Sequence, residues 1–133
     1  MNLQTLLLSP QGRIGRAAFW IGFALVMVLS VALNLIPGVI GHLLGFVLLW
    51  PQVCINAKRL HDMGRTGWLL LIPAGVSAAC LLLSFVLGSG AEAAPRPQAM
   101  APLIAAGLCG LAFLIWVGLA PGTSGPNRFG AKP

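Results

Sequence analysis

Negative charge is what this chain has least of: Asp62 and Glu92 are its only acidic residues, against eight lysines and arginines. Charged residues of both signs make up 8% of the 133 residues, where ordinary globular proteins carry about 25%. A soluble domain of this size must cover its surface with polar side chains, and so few charges cannot do that. Cysteine is also scarce. Cys54, Cys80 and Cys109 are odd in number, fall within or at the end of apolar runs, and match no metal-ligand spacing. They read as small buried hydrophobes, with no disulfide implied.

Catalytic groups are equally thin. No motif places a serine or cysteine nucleophile. His61 and Asp62 are adjacent, and neighbours on one helix point roughly 100° apart, so they make a poor acid–base dyad. A metal site needs more ligands than that pair offers. The expectation is a protein with no cofactor, no metal and no enzymatic centre.

What the chain does have is hydrocarbon. Apolar residues make up 58% of it and its mean hydropathy is +0.93. The natural solvent for such a chain is the bilayer, and its length suits one integral membrane domain over residues 1–133. The net charge of +6 could suggest nucleic acid. The positive residues, however, abut apolar runs instead of lining one polar face, as topology determinants and anionic-lipid contacts do. Nucleic acid is not an expected partner.

Residues 1–11 hold Leu3, Leu6, Leu7 and Leu8 ahead of Ser9-Pro10, a spacing that predicts a helical turn on the membrane surface. The stretch does not read as a signal peptide, because its apolar part is short and the positive charges follow it. Gly12-Arg13-Ile14-Gly15-Arg16 then opens an apolar run over 17–36, about 20 residues and roughly 30 Å of helix. A second run covers 39–57. Pro51 lies inside it, without an amide hydrogen, and predicts a kink. Gly41 and Gly45 in the same run have the spacing that permits close helix approach. The third run is 67–87 and the fourth 103–120. Between them, 88–102 is too rich in proline and polar residues to span, and 121–133 is too rich in glycine and proline to be helical.

Four spans would put both termini and the 58–66 turn on one side. That side holds Arg13, Arg16, Lys58, Arg59, Arg65, Arg128 and Lys132, seven of the eight basic residues; the other has Arg96 beside Glu92. The bias predicts cytoplasmic termini, a periplasmic loop over 88–102 and a cytoplasmic tail over 121–133. Trp20, Trp68 and Trp116 fall near the same face, as interfacial anchors do.

Lys58 to Trp68 is the densest polar stretch. If the helix continues past Ile55, Arg59 and Lys58 are one turn from Asp62, and Gly64 suits the left-handed residue that ends a helix. Asp62 is then expected to act as an ionic knot tying this turn to Arg13, Arg16 or Arg128. The same cluster of Arg13, Arg16, Arg59, His61, Asp62, Arg65 and Arg128 would also suit an anion or a lipid headgroup. Two other readings stand beside it. One is a small transporter using His42, the single titratable group within a predicted span, with the Pro51 kink. The other is a membrane-bound enzyme with His61 or Asp62 as acid–base.

Three stretches carry a resemblance. Gly12-Arg13-Ile14-Gly15-Arg16 with Phe19-Trp20, the run from Arg59 to Trp68, and Pro121-Gly122-Thr123-Ser124-Gly125-Pro126-Asn127-Arg128-Phe129-Gly130 resemble, in order and spacing, the DUF805 family of small bacterial inner-membrane proteins. The departures are Ala17 and Ala18, Leu69 and Ser124. The resemblance implies an integral inner-membrane protein and brings no established activity. The expectation is therefore an all-α bundle of four transmembrane helices with both termini cytoplasmic. Its partners would be the bilayer, anionic headgroups, and a second copy or another membrane protein.

Overall fold

A computed structural model of the chain describes residues 2–88 and 97–133, the side chain of His42 excepted. It is all-helical: α1 (Leu3–Leu8), α2 (Arg16–Asn34), α3 (Val39–Val47), α4 (Leu49–Asp62), a 3-10 turn over Gly67–Leu70, α5 (Leu71–Gly88) and α6 (Pro97–Leu119). No strand forms among the described residues, and Asn127 and Gly130 make an isolated antiparallel bridge. Four helical stretches are long and apolar enough to cross a membrane: Arg16–Asn34, Val39–Asp62, Gly67–Gly88 and Pro97–Leu119, of 19, 24, 22 and 23 residues. The chain divides into two compact units, one formed by the stretch up to Trp68 together with Val117–Pro133, the other by Leu69–Trp116.

In the first unit several helix ends have a local cause. Asn2 caps α1, its Oδ1 accepting from the Thr5 amide at 2.9 Å, which satisfies one of the amides that a helix start leaves unpaired. Ser9-Pro10 ends it, because the residue before a proline is pushed out of the helical region. Asn34 closes α2 by donating from Nδ2 to Ser30 O at 2.8 Å. The turn to α3 uses Gly38 at φ +83°, where a side chain would be strained.

The second apolar run is not one helix bent at Pro51. It is two, divided at Leu48, with Pro51 as the third residue of α4. The first turn of a helix has no intrahelical use for its amides, so that is where a proline costs least. The helix also runs on to Asp62, five residues past the predicted end at 57. Gly41 serves this turn rather than a helix–helix seam, since a Cβ there would overlap carbonyls at the end of α2, while nothing lies within 4 Å of a Cβ at Gly45.

α4 is the central element of this unit and packs on α1, α2 and α3. Its buried residues include Cys54, Ile55, Ala57, Lys58, Arg59, Leu60 and Asp62, with Leu6, Ile14, Phe19, Val26 and Val117 from its neighbours. Gly22 makes room for Ile55, whose Cδ1 would lie 3.1 Å from a Cβ there. Gly118 does the same for the indole of Trp20, which a Cβ at that position would overlap.

In the second unit, α6 begins at Pro97, six residues before the apolar run that marks it in the sequence. Proline is at home in a first helical position, so the expected loop over 88–102 is helical from 97 on, while 89–96 lie outside the described residues. The Ser84 hydroxyl on α5 donates to Ala99 O of α6 at 2.7 Å. None of the most apolar window of Gly67–Gly88 is buried, and Phe85 of α5 is 73% exposed.

The glycine contacts yield a paired prediction. Gly118→Ala forces Trp20 to move and lowers stability by about 1–3 kcal/mol, the usual range for overpacking. Gly45→Ala, with open space around it, is neutral or gains up to about 1 kcal/mol from helix propensity. Thermal unfolding of both purified variants in the same detergent checks the pair, and equal midpoints would contradict it.

Candidate functional site

The site is built around the last residue of α4. Asp62 offers two carboxylate oxygens, and each is taken by a different arginine. Arg13, in the loop before α2, donates to Oδ1 from Nη2 at 2.9 Å and from Nε at 3.2 Å. Arg59, one turn back on α4, donates to Oδ2 from Nη1. The side chains of Arg13, Arg59 and Asp62 are 1%, 0% and 6% exposed. Burial at this level removes most hydration, so the arrangement stands only if the remaining N–H groups also find acceptors.

They do, and mainly on one segment. Arg13 donates from Nη1 to Gly125 O at 2.8 Å and Gly130 O at 3.1 Å, and from Nη2 to Thr123 O at 3.1 Å and Thr123 Oγ1 at 2.9 Å. The tail after α6 thus wraps its carbonyls around one guanidinium. Arg59 donates from Nε to Val117 O at 3.0 Å and from Nη2 to Ala120 O. These carbonyls end α6, where the helix has no amides left to pair them and carries partial negative charge. Gly122 is what lets the tail come so close, because a Cβ there would overlap the Asp62 carboxylate.

α4 ends with its own carbonyls fully used. Gly64, at φ +72°, donates to His61 O at 3.0 Å and Arg65 to Leu60 O at 2.8 Å, the paired bonds of a Schellman ending. Thr123 donates to Asp62 O from its amide at 2.8 Å and its hydroxyl at 3.1 Å, and Asn127 Nδ2 to His61 O at 2.9 Å. The His61 ring turns away from Asp62. Its Nδ1 lies 3.2 Å from Gly12 O, and its face stacks on Phe129 with centroids 3.9 Å apart and an 8° interplanar angle.

Lys58 is a second buried cation, 1% exposed, with no carboxylate. Its Nζ donates to Thr5 O and, at 3.1 Å, to Leu6 O, while Trp50 Nε1 donates to Leu8 O at 3.0 Å. These are the end carbonyls of α1. Lys58 and Arg59, consecutive on α4, therefore each neutralise the C-terminus of a different helix, which is the favoured place for a cation.

The geometry brings together Arg13, Arg59, His61 and Asp62 of the seven residues singled out in the sequence. Asp62 holds Arg13 and Arg59, not Arg16 or Arg128. Arg16 is exposed in the first turn of α2, and Arg65 is exposed just past the end of α4. Arg128 is exposed too, its Cζ 4.7 Å from the centre of the Phe129 ring. Trp20 covers Gly118, and Trp116 lies three residues from the end of α6. His42 falls in α3, with its side chain outside the described residues. Among the described residues no three of His, Cys, Asp and Glu gather as metal ligands would.

Sequence reasoning missed Thr123, Asn127 and Phe129. Asn127 and Gly130 at the two ends of a four-residue turn were a readable signal for the bend. Nothing in the sequence marks carbonyl groups as the main acceptors for Arg13.

Residues 12–16, 58–65 and 122–130 thus converge on one carboxylate. Those same segments lie within the part of the chain, residues 7–131, that matches the family described as "Protein of unknown function (DUF805)". The chain belongs to the DUF805 family. It is similar to the protein called "Uncharacterized protein YiiR" in Escherichia coli K12, 39% identical over 79 residues, and equally to its namesake in Escherichia coli O157:H7. The match spans 54% of this chain and 54% of each relative, so the chain covers about half the length of these curated relatives. No solved structure matches it.

Two outcomes test the knot at Asp62 in this DUF805 protein. Asp62→Asn keeps the shape but sets an amide against two buried guanidinium groups, and lowers stability by about 3–5 kcal/mol, as loss of one partner of a buried ion pair does. Arg16→Gln, at an exposed position, changes it by about 0.5 kcal/mol or less; thermal unfolding in detergent separates the two. Lys58→Met removes the donor from α1, and hydrogen exchange should then rise at residues 5–8 while α2 stays protected.

Proposed function

We propose that this DUF805 protein is a multi-pass, non-enzymatic protein of the bacterial inner membrane, with both termini in the cytoplasm, whose cytoplasmic face binds anionic lipid headgroups. The length and apolar character of Arg16–Asn34, Val39–Asp62, Gly67–Gly88 and Pro97–Leu119 support the bilayer as its solvent. So do exposed side chains such as Ile21, Leu82 and Phe85, which at 67%, 65% and 73% exposure would be costly in water. The concentration of basic residues at 13–16, 58–65 and 128–132 supports a cytoplasmic placement of that face.

One observation carries the binding reading. Both oxygens of Asp62 are consumed by buried Arg13 and Arg59, so exposed Arg16, Arg65 and Arg128 have no carboxylate among the described residues to pair with. The knot organises the three segments and leaves the cations on them to external anions. At a bilayer surface the abundant anion is a lipid phosphate, and each basic residue near an anionic membrane contributes about 1 kcal/mol.

The test uses the full chain in nanodiscs of phosphatidylglycerol and phosphatidylcholine, with retained lipid read by native mass spectrometry. Wild type should retain phosphatidylglycerol selectively. The triple variant Arg16→Gln, Arg65→Gln, Arg128→Gln should lose about 100-fold in that preference with its unfolding midpoint nearly unchanged. Retention equal to wild type would remove the basis for this reading.

A further inference from the structure

We propose that Arg128 is the arm of a preorganised phosphate-binding site, presented by a turn that the rest of the face holds rigid. The proposal deepens the lipid-binding reading and takes a phospholipid headgroup as the source of the phosphate.

The turn is held far more firmly than an exposed tail needs. Asn127 and Gly130 exchange amide-to-carbonyl bonds at 3.0 Å each, leaving Arg128 and Phe129 at the apex. The Asn127 side chain donates to His61 O and to Thr123 Oγ1 and accepts from the Phe129 amide at 2.9 Å. Arg13 holds Gly130 O from beneath. Phe129 is in turn stacked on His61, whose Nδ1 meets Gly12 O. The two neighbours of Arg128 in the chain, Asn127 and Phe129, are thereby both held to His61 of α4.

Arg128 is what this framework displays. Its guanidinium lies over Phe129, the same ring that stacks on the imidazole of His61. Contact with the ring limits the orientations of a guanidinium-bearing side chain that is otherwise among the most mobile. Its N–H groups donate to nothing among the described residues, and the one nearby carboxylate is already shared by Arg13 and Arg59. An exposed planar fork held against a ring and without an internal acid matches two oxygens of a phosphate. His61 is the next-to-last residue of the apolar stretch Val39–Asp62. In the proposed orientation this sets His61, and the Phe129–Arg128 pair packed on it, at headgroup depth.

The experiment separates a built site from diffuse positive charge. Full-length protein in phosphatidylglycerol–phosphatidylcholine nanodiscs is compared as wild type, Arg128→Lys, Arg128→Gln, Phe129→Leu and Lys132→Gln. Arg128→Lys keeps the charge but loses the fork and the stack, and phosphatidylglycerol retention should fall about fivefold. Phe129→Leu keeps Arg128 but frees it, and retention should fall about threefold. Lys132→Gln removes a charge outside the turn and should have a smaller effect than Arg128→Gln. Arg128→Lys at the wild-type level, or Arg128→Gln no worse than Lys132→Gln, overturns the proposal while leaving lipid binding itself intact. A parallel titration with inorganic phosphate in neutral detergent identifies the source. Arg128-dependent phosphate binding without any phosphatidylglycerol preference upholds the site but overturns its lipid assignment and the reading it rests on. Arg128-independent behaviour toward both overturns the site.

Discussion

A single carboxylate shared by two buried arginines is the interaction on which the first compact unit of this molecule depends. Asp62 can satisfy only part of two guanidinium groups, and the excess must go somewhere. It goes to backbone carbonyls: those ending α6 for Arg59, and those of the Pro121–Gly130 segment for Arg13. The need to solvate two cations from within is therefore what organises a segment too rich in glycine and proline to organise itself. Gly122 and Gly64 follow as geometric requirements of the same demand, one for close approach and one for the helix ending.

Helix ends offer a cheaper counter-charge than carboxylates in a chain that has almost none. α4 carries Lys58 and Arg59 side by side, each on the C-terminal carbonyls of a different helix. An unpaired carboxylate would need desolvating along with its cation, whereas helix-end carbonyls are present in any case and lack partners. The low acidic content thus has a structural counterpart: partial charges on the backbone stand in for side-chain acids. This arrangement also leaves the exposed arginines unneutralised, which links the stability of the face to its proposed binding role.

Helical character and the position of the knot were legible in the sequence because both rest on signals carried by side chains. Runs of apolar residues mark helices whatever they pack on, and a lone aspartate among arginines marks an ion pair. Helix geometry put both Arg59 and Lys58 within a turn of Asp62, and only the fold sends Lys58 to the end of α1 instead. Arg13, Arg16 and Arg128 could not be told apart as the second partner, since that choice depends on where loops meet in space. The break at Leu48 rather than Pro51 turned on whether proline would lie within a helix or in its first turn, which its identity does not say. Pro97 likewise read as a loop residue, although a first helical turn accepts it equally well. The acceptors for Arg13 were invisible for a deeper reason: they are carbonyls, and every residue has one.

Arg13 meets Gly130 across a sequence separation of 117 residues, and Gly125 across 112. In the order of synthesis, the arginine near the beginning and the aspartate near the middle are made long before the carbonyls that enclose them. Until Val117 to Gly130 emerges, the centre of the fold holds two guanidinium groups and one carboxylate with most of their hydrogen bonds unfilled. The late segment is thus the closing piece of a structure begun at the other end. A chain that stops short of it leaves its most buried polar side chains, Arg13, Arg59 and Asp62, without the carbonyls that complete their hydrogen bonding.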